Sequence, residues 1–421
     1  MLTISMLFTL SSFLSPVALA GDSEIKPLKV KFGENQFISM ILWSQFWARL
    51  QEQNPGTTIN GEPTNLSANL GIRRARVLLW GRPNKRMLIM THLGINNQTF
   101  NNARKPQAFI HDAWVEGTII EKHLDIGVGL HYWNGVSRAA SQSTMGFLAI
   151  DGPIFPWTVI ERTDQFARQM GIYAKGKISR LDYRVAVNQP FVPSVSPDPK
   201  TGATQFRNTN NHWAVQGYVK LELAEPEGNT LPFLNGTYLG KKQVVNIGAG
   251  AQWNPEAMGR FVDGVEEVFD QTAVGVDLFI DTPVGRGAFT TYALYQYNNY
   301  GPDFVRNVGI MNVGSGGTSL AGGGNAYPLQ GTGHTGYLEA GYLLPTTFGE
   351  TRLQPYAASQ SSFFEALGAP MVLAEAGVNW YLAGQHAKVT AHWRNRPVFS
   401  PDGQDVLARA NEGIVQLAFR Y

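Results

Sequence analysis

One pattern constrains this chain more than any other. Apolar and polar residues alternate with a period of two over segments about ten residues long. In 245–254, Val245, Ile247, Ala249, Ala251 and Trp253 form one face, opposed by Asn246, Gly248, Gly250, Gln252 and Asn254. The segments 123–132, 181–188 and 386–394 repeat the pattern. That period belongs to a strand with two unlike faces. Globular strands centre near 5–6 residues, whereas a tilted strand crossing a bilayer needs about 9–11. In lipid every backbone N–H and C=O must be paired within the protein, so such a sheet has to close. The expectation is an all-β fold: a transmembrane antiparallel β-barrel with an apolar outside and a polar lumen. A soluble β-sandwich or propeller also alternates. Strand length and the aromatics near strand ends weigh against it.

About sixteen strands can be placed, with eighteen as the alternative count. They fall near 37–50, 69–81, 86–95, 109–119, 123–133, 170–178, 180–189, 212–223, 245–254, 271–281, 287–298, 334–344, 352–361, 370–382, 386–396 and 412–421. Short turns at 81–85, 120–122, 179, 282–286, 345–351 and 383–385 alternate with longer links at 51–68, 134–169, 190–211, 255–270, 299–333 and 397–411. The link 224–244 breaks the rule, being long where a turn is expected.

Composition fits this reading. Only 16% of the 421 residues are charged, against about 25% in a soluble domain. Strand faces in lipid must be uncharged, which accounts for the shortfall. No segment after the N-terminus holds the roughly 18 consecutive apolar residues of a membrane helix. There is no cysteine, so disulfide scaffolds and Cys-based zinc sites are excluded. The net charge of +2 gives no support to a nucleic-acid partner. Residues 1–20 are apolar or small and end in Ala18-Leu19-Ala20, the pattern of a cleaved signal peptide, although no Lys or Arg precedes the apolar stretch. The expected organisation is a signal at 1–20 and a single barrel domain at 21–421. At the other end Val415, Leu417, Phe419 and Tyr421 alternate and close on an aromatic. Phe419 and Tyr421 are therefore candidates for the signal that outer-membrane barrel-assembly machinery reads.

Several short motifs carry a family resemblance. They are Ile72-Arg73-Arg74-Ala75-Arg76-Val77, Asp112-Ala113-Trp114-Val115-Glu116, Ile160-Glu161-Arg162, Arg168-Gln169-Met170-Gly171-Ile172, Leu181-Asp182-Tyr183-Arg184-Val185-Ala186-Val187-Asn188 and Gly236-Thr237-Tyr238-Leu239-Gly240-Lys241-Lys242. In this order the chain resembles the phosphate-selective porin O/P family of Gram-negative outer membranes. The resemblance implies a water-filled diffusion channel, commonly a homotrimer, passing small ions or solutes without a cofactor. It does not by itself imply phosphate as the solute.

A pore needs a constriction and a charge pattern. The longest link, 134–169, is the candidate constriction loop. Its Phe147, Leu148, Ile150, Ile154, Phe155 and Trp157 require dry packing, which folding against the barrel wall would supply; packing on top of the barrel is the alternative. Its charges balance, with Arg138, Arg162 and Arg168 against Asp151, Glu161 and Asp164. Arg74 and Arg76 sit two apart, so both project to one face, roughly 7 Å apart. Facing lipid, each would cost about 2–4 kcal/mol at the midplane, so the lumen is favoured. Arginine forks suit phosphate and carboxylate oxygens. Together with Lys175, Lys177, Arg184 and Arg162 or Arg168, they form a candidate anion-leaning ladder. The competing expectation is that these arginines pair with loop carboxylates and hold the loop in place.

Nothing in the sequence marks a catalytic or metal site. The eight histidines form no H-E-x-x-H pair, and solvated lumen positions are expected for His386 and His392. Gly314 to Gly324 lacks the Lys-Ser/Thr ending of a P-loop, and a mobile external loop is expected there. An outer-membrane protease or lipase barrel, or an adhesin with a plugged lumen, are the rival readings.

Overall fold

A computed structural model describes residues 28–99, 108–158, 160, 167–193, 197–345, 349 and 351–421. The expected signal segment 1–20 lies outside them. Sixteen antiparallel strands form the wall: β1 Phe37–Glu52, β2 Leu66–Asn84, β3 Met87–Thr99, β4 Phe109–Ile120, β5 Leu124–His131, β6 Gln169–Ile178, β7 Leu181–Asn188, β8 Ala214–Glu222, β9 Val244–Val262, β10 Val265–Val284, β11 Gly287–Asn299, β12 Gly333–Leu343, β13 Arg352–Phe364, β14 Met371–Tyr381, β15 Ala387–Phe399 and β16 Val406–Arg420. Each pairs with the next in the chain. β16 returns to β1 from Trp43↔Arg420 to Gln51↔Glu412, so no open edge remains along the wall. The backbone of Tyr421 adds two hydrogen bonds to Leu42, at 2.8 and 2.9 Å. Below that point Leu28–Lys31 pairs with Phe37–Met40 and continues the line of β16.

The alternation that defines the strands sorts side chains as a bilayer requires. Ile38, Leu42, Phe46 and Leu50 of β1, and Ile247 and Trp253 of β9, stand exposed on the outer face, the last two at 52% and 50%. The intervening Gln45, Trp47, Arg49 and Gln51 are buried on the inside. Placed in lipid, each outer side chain gains what a core residue gains in a soluble protein.

The connections depart from expectation in three places. The link expected at 255–270 is strand on both sides. β9 and β10 run on to a tight hairpin at Asp263-Gly264, both with positive φ (50° and 81°), as the turn twist of a two-residue hairpin requires. The Gly314 to Gly324 stretch, expected to be mobile, is tied down: Ser315 and Gly316 pair with Thr58 and Thr57, and Asn54 N–H donates to the Gly324 carbonyl. The long link that broke the turn rule is real. It spans 223–243 and does not trail from the short-turn rim; it enters the barrel. Leu234 meets Gln142 in a parallel bridge, Ser143 N–H donates to the Leu234 carbonyl, and Gly236 N–H donates to the Gly146 carbonyl. Two connections, 132–168 from one rim and 223–243 from the other, therefore join inside the barrel.

Candidate functional site: the occupied lumen

The loop 132–168 touches almost every side of the lumen. Asn379 of β14 donates to the Leu148 carbonyl at 2.8 Å, and Lys388 of β15 donates to the Phe147 carbonyl at 3.1 Å. Gln45 of β1 reaches the Thr144 carbonyl at 2.8 Å, and the Arg138 N–H donates to Asp277 of β10 at 2.6 Å. The six apolar loop residues singled out from sequence are all buried, together with Val308, Ile310, Tyr327 and Leu329 of the connection 300–332. That connection lies over the loop: Gln330 donates to the carbonyls of Phe155 and Trp157 at 2.8 and 2.9 Å. Each such side chain contributes about 1.5–3 kcal/mol by leaving water. The wall makes room with glycine. A Cβ at Gly250 of β9 would stand 2.5 Å from the Val136 carbonyl oxygen, and one at Gly275 of β10 2.9 Å from the same atom.

The predicted basic residues do reach the interior, each with company. Arg74 meets Asp151 at 2.9 Å and Gln45 at 2.8 Å. Arg76 donates to Asn96 at 2.7 and 3.2 Å, with its guanidinium 5.1 Å from the Trp43 ring centre. Arg168 pairs with Asp112 of β4 at 3.0 Å and lies 4.0 Å from the Tyr132 ring centre. Lys175 faces Glu116 and Asp125 at 3.2 and 3.5 Å. Lys177 pairs with Glu222 at 2.6 Å, and Arg184 holds Ser141 of the loop at 2.6 Å. Arg162, Glu161 and Asp164 lie outside the described residues. Phe419 and Tyr421 stand exposed at the seam between β16 and β1.

Alternation alone misses one residue. Arg73 sits beside Arg74, so a strict period of two would turn it toward lipid. The register of β1 with β2 slips there: Gln45 opposes Arg74 and Phe46 opposes Ile72, leaving Arg73 as an extra residue. A β-bulge of this kind puts two consecutive side chains on one face. Both guanidiniums then grip one carboxylate, Arg73 reaching Asp151 at 2.8 Å. Burial alone would raise the Asp151 pKa; the two guanidiniums outweigh it and hold the carboxyl at about 2. The clue in the sequence is the Arg-Arg doublet itself, since a lipid-facing arginine in mid-strand is too costly to stand.

A second joint was not foreseen. Arg138 of the loop makes two bonds to Glu227 of the 223–243 connection, at 2.6 and 2.8 Å, and Lys220 of β8 joins at 3.0 Å. Against the cost of burial, Arg138 and Lys220 hold the Glu227 carboxyl well below its ordinary range, and Glu227 pushes Arg138 up. Histidines also differ from expectation. His392 is buried, 2.9 Å from the Tyr356 hydroxyl and 3.7 Å from Glu375. His386, near the short-turn rim, is half-buried.

Between the two inward connections lies a cavity of about 240 Å³, bounded by Trp43, Arg76, His92, Arg168 and Phe233 among others. No described group of three His, Asp or Glu residues is placed to hold a metal ion.

No protein-family model and no curated protein matches this chain. The porin O/P resemblance therefore stands on its short motifs. Among solved structures, the chain is similar to the outer membrane channel DcaP of Acinetobacter baumannii, at 12% identity and a TM-score of 0.52 over 93% of this chain and 99% of that one. It is also similar to OmpF of Salmonella typhi, solved in complex with daunomycin, at 10% identity and a TM-score of 0.51 over 94% of this chain and all of that one. The chain has the closed sixteen-stranded fold of outer-membrane porins.

Proposed function

We propose that this protein is an outer-membrane pore for passive diffusion of small hydrophilic solutes and ions, exported by its N-terminal segment, inserted with the help of barrel-assembly machinery and assembled as a homotrimer. One observation carries the reading: a closed wall, apolar outside and charged inside, holds the loop 132–168 by side chains of its inner face. Diffusion through such a wall needs no bond chemistry, only a constriction and a local field. The rival of a permanently plugged structural barrel predicts no current. The purified protein in a planar bilayer should give stepwise, ohmic conductance; correctly folded protein, shown by heat-modifiable gel mobility, that never conducts would reject the pore.

Ion preference is proposed to be modest. Most lumen cations face a carboxylate, so the summed charge is close to zero. Arg73 and Arg74 are committed to Asp151, which makes them anchors of the loop. Arg168 is likewise paired with Asp112 and Arg76 holds Asn96, so the anion lean is proposed to be small, and a reversal potential in a salt gradient measures it.

A further inference from the structure

Resting on the pore reading, the 240 Å³ cavity narrows what the pore carries. Its walls mix charged and polar side chains with more apolar surface than a barrel interior ordinarily shows. The guanidinium of Arg76 lies 5.1 Å over the Trp43 ring; Arg168, Leu78, Leu231 and Phe233 extend this charged and apolar lining, with Gln142, Ser143, Thr144 and Asn235 as its polar part. The apolar residues do pack on one another around that connection, yet packing alone would not leave a space bounded by two guanidiniums. A hydrated inorganic anion can use the charged and polar part of this lining but gains nothing from Trp43, Leu78, Leu231 and Phe233, which return no hydrogen bond. An organic anion would present its charge to the arginines and its body to the aromatic and aliphatic wall. A cavity of about 150 Å³ already holds benzene, so one ring with a carboxylate fits this one.

We propose that this cavity is a binding station for organic monoanions with an apolar body, single-ring aromatic carboxylates being the model class, and that such anions bind in preference to inorganic phosphate. Arg76 and Arg168 hold the carboxylate, Arg76 braced by Asn96 and Arg168 by Asp112. Trp43 and Phe233 enclose the ring.

The test separates binding from conduction. Isothermal titration of the folded, detergent-solubilised protein with benzoate, acetate and inorganic phosphate reads the cavity. Potassium chloride conductance in a planar bilayer, with benzoate added to one side, reads the pore. Benzoate should bind about tenfold or more tighter than acetate, leave phosphate unable to displace it, and reduce the chloride current. Arg76→Gln should weaken benzoate about tenfold or more, and Phe233→Ala should erase the benzoate-over-acetate difference. Equal binding of benzoate and acetate, displacement by phosphate, or an unchanged benzoate affinity in both variants would overturn the proposal. Benzoate binding without any chloride current would sink the pore reading and leave the site standing.

Discussion

Asp151→Asn is the perturbation whose outcome the geometry constrains most tightly. The carboxylate lies between Arg73 and Arg74 at 2.8 and 2.9 Å, and both guanidiniums are fully buried. Two estimates bracket its worth. A carboxyl whose pKa falls from 3.8 to about 2 on folding gains about 2 kcal/mol from its charged form. Removing one partner of a buried ion pair costs about 3–5 kcal/mol, because the remaining charge is left uncompensated. The larger figure suits Asn, which strands two cations; the smaller suits protonation. The wall's own hydrogen bonds are untouched, so the cost falls on the seating of the loop. Asp151→Asn should therefore leave gel mobility intact while enlarging or destabilising the single-channel current and increasing anion preference. The pH dependence has a definite sign. A depressed folded pKa gives stability that is complete above about 4 and is lost as pH falls toward about 2. The wild-type current should stay steady down to about pH 4 and take on the variant's behaviour only below it. An Asp151→Asn channel with wild-type current and ion preference refutes the anchoring role.

Further expectations follow from the same coordinates. Arg138→Met strands Glu227 between the two inward connections and should cost about 3–5 kcal/mol, read as a lower transition temperature in the heat-modifiability assay; Glu227→Gln should show a similar loss. Ile247→Lys on the outer face of β9 should cost about 2–4 kcal/mol in reversible urea unfolding from lipid, whereas Gln252→Lys on the inner face should cost less. Deleting Tyr421 removes two backbone bonds to Leu42, so the yield of heat-modifiable barrel in the outer membrane should fall. A normal yield would show that the seam closes without it.

All sixteen strands were legible because a wall with one apolar and one polar face keeps the alternation along most of every strand. Legibility fails where that alternation stops. At their far ends β9 and β10 carry Glu256, Arg260, Glu266 and Glu267 among Val262, Val265 and Val268, with no regular period of two to betray a strand, so these ends read as a loop. The Asp263-Gly264 pair was the local sign of a hairpin. Inside the barrel, the apolar content of 134–169 signalled a need for dry packing, which the structure meets. What covers it, the 300–332 connection, could not be read, because nothing in the sequence states which two loops meet. Arg73 escaped because one bulged residue reverses the inside-outside phase, and alternation carries no record of where a bulge falls.

The joint between Arg138 and Glu227 explains why 223–243 is long. A turn at that rim needs only a few residues, as 285–286 shows. The extra length carries Leu231, Phe233 and Leu234 up into the barrel, where Leu234 is buried and the other two are half-buried, and delivers one carboxylate to the loop's arginine. Neither piece is well placed alone. Arg138 without Glu227 is a buried cation, and Glu227 without Arg138 relies on Lys220, which Asp182 and Glu222 also approach at 3.8 and 3.2 Å. Mutual dependence of this kind fixes the separation of the two connections. That separation sets the cavity between them, so on the pore reading proposed above the space left for a solute depends on how a loop and a turn from opposite rims are bolted together.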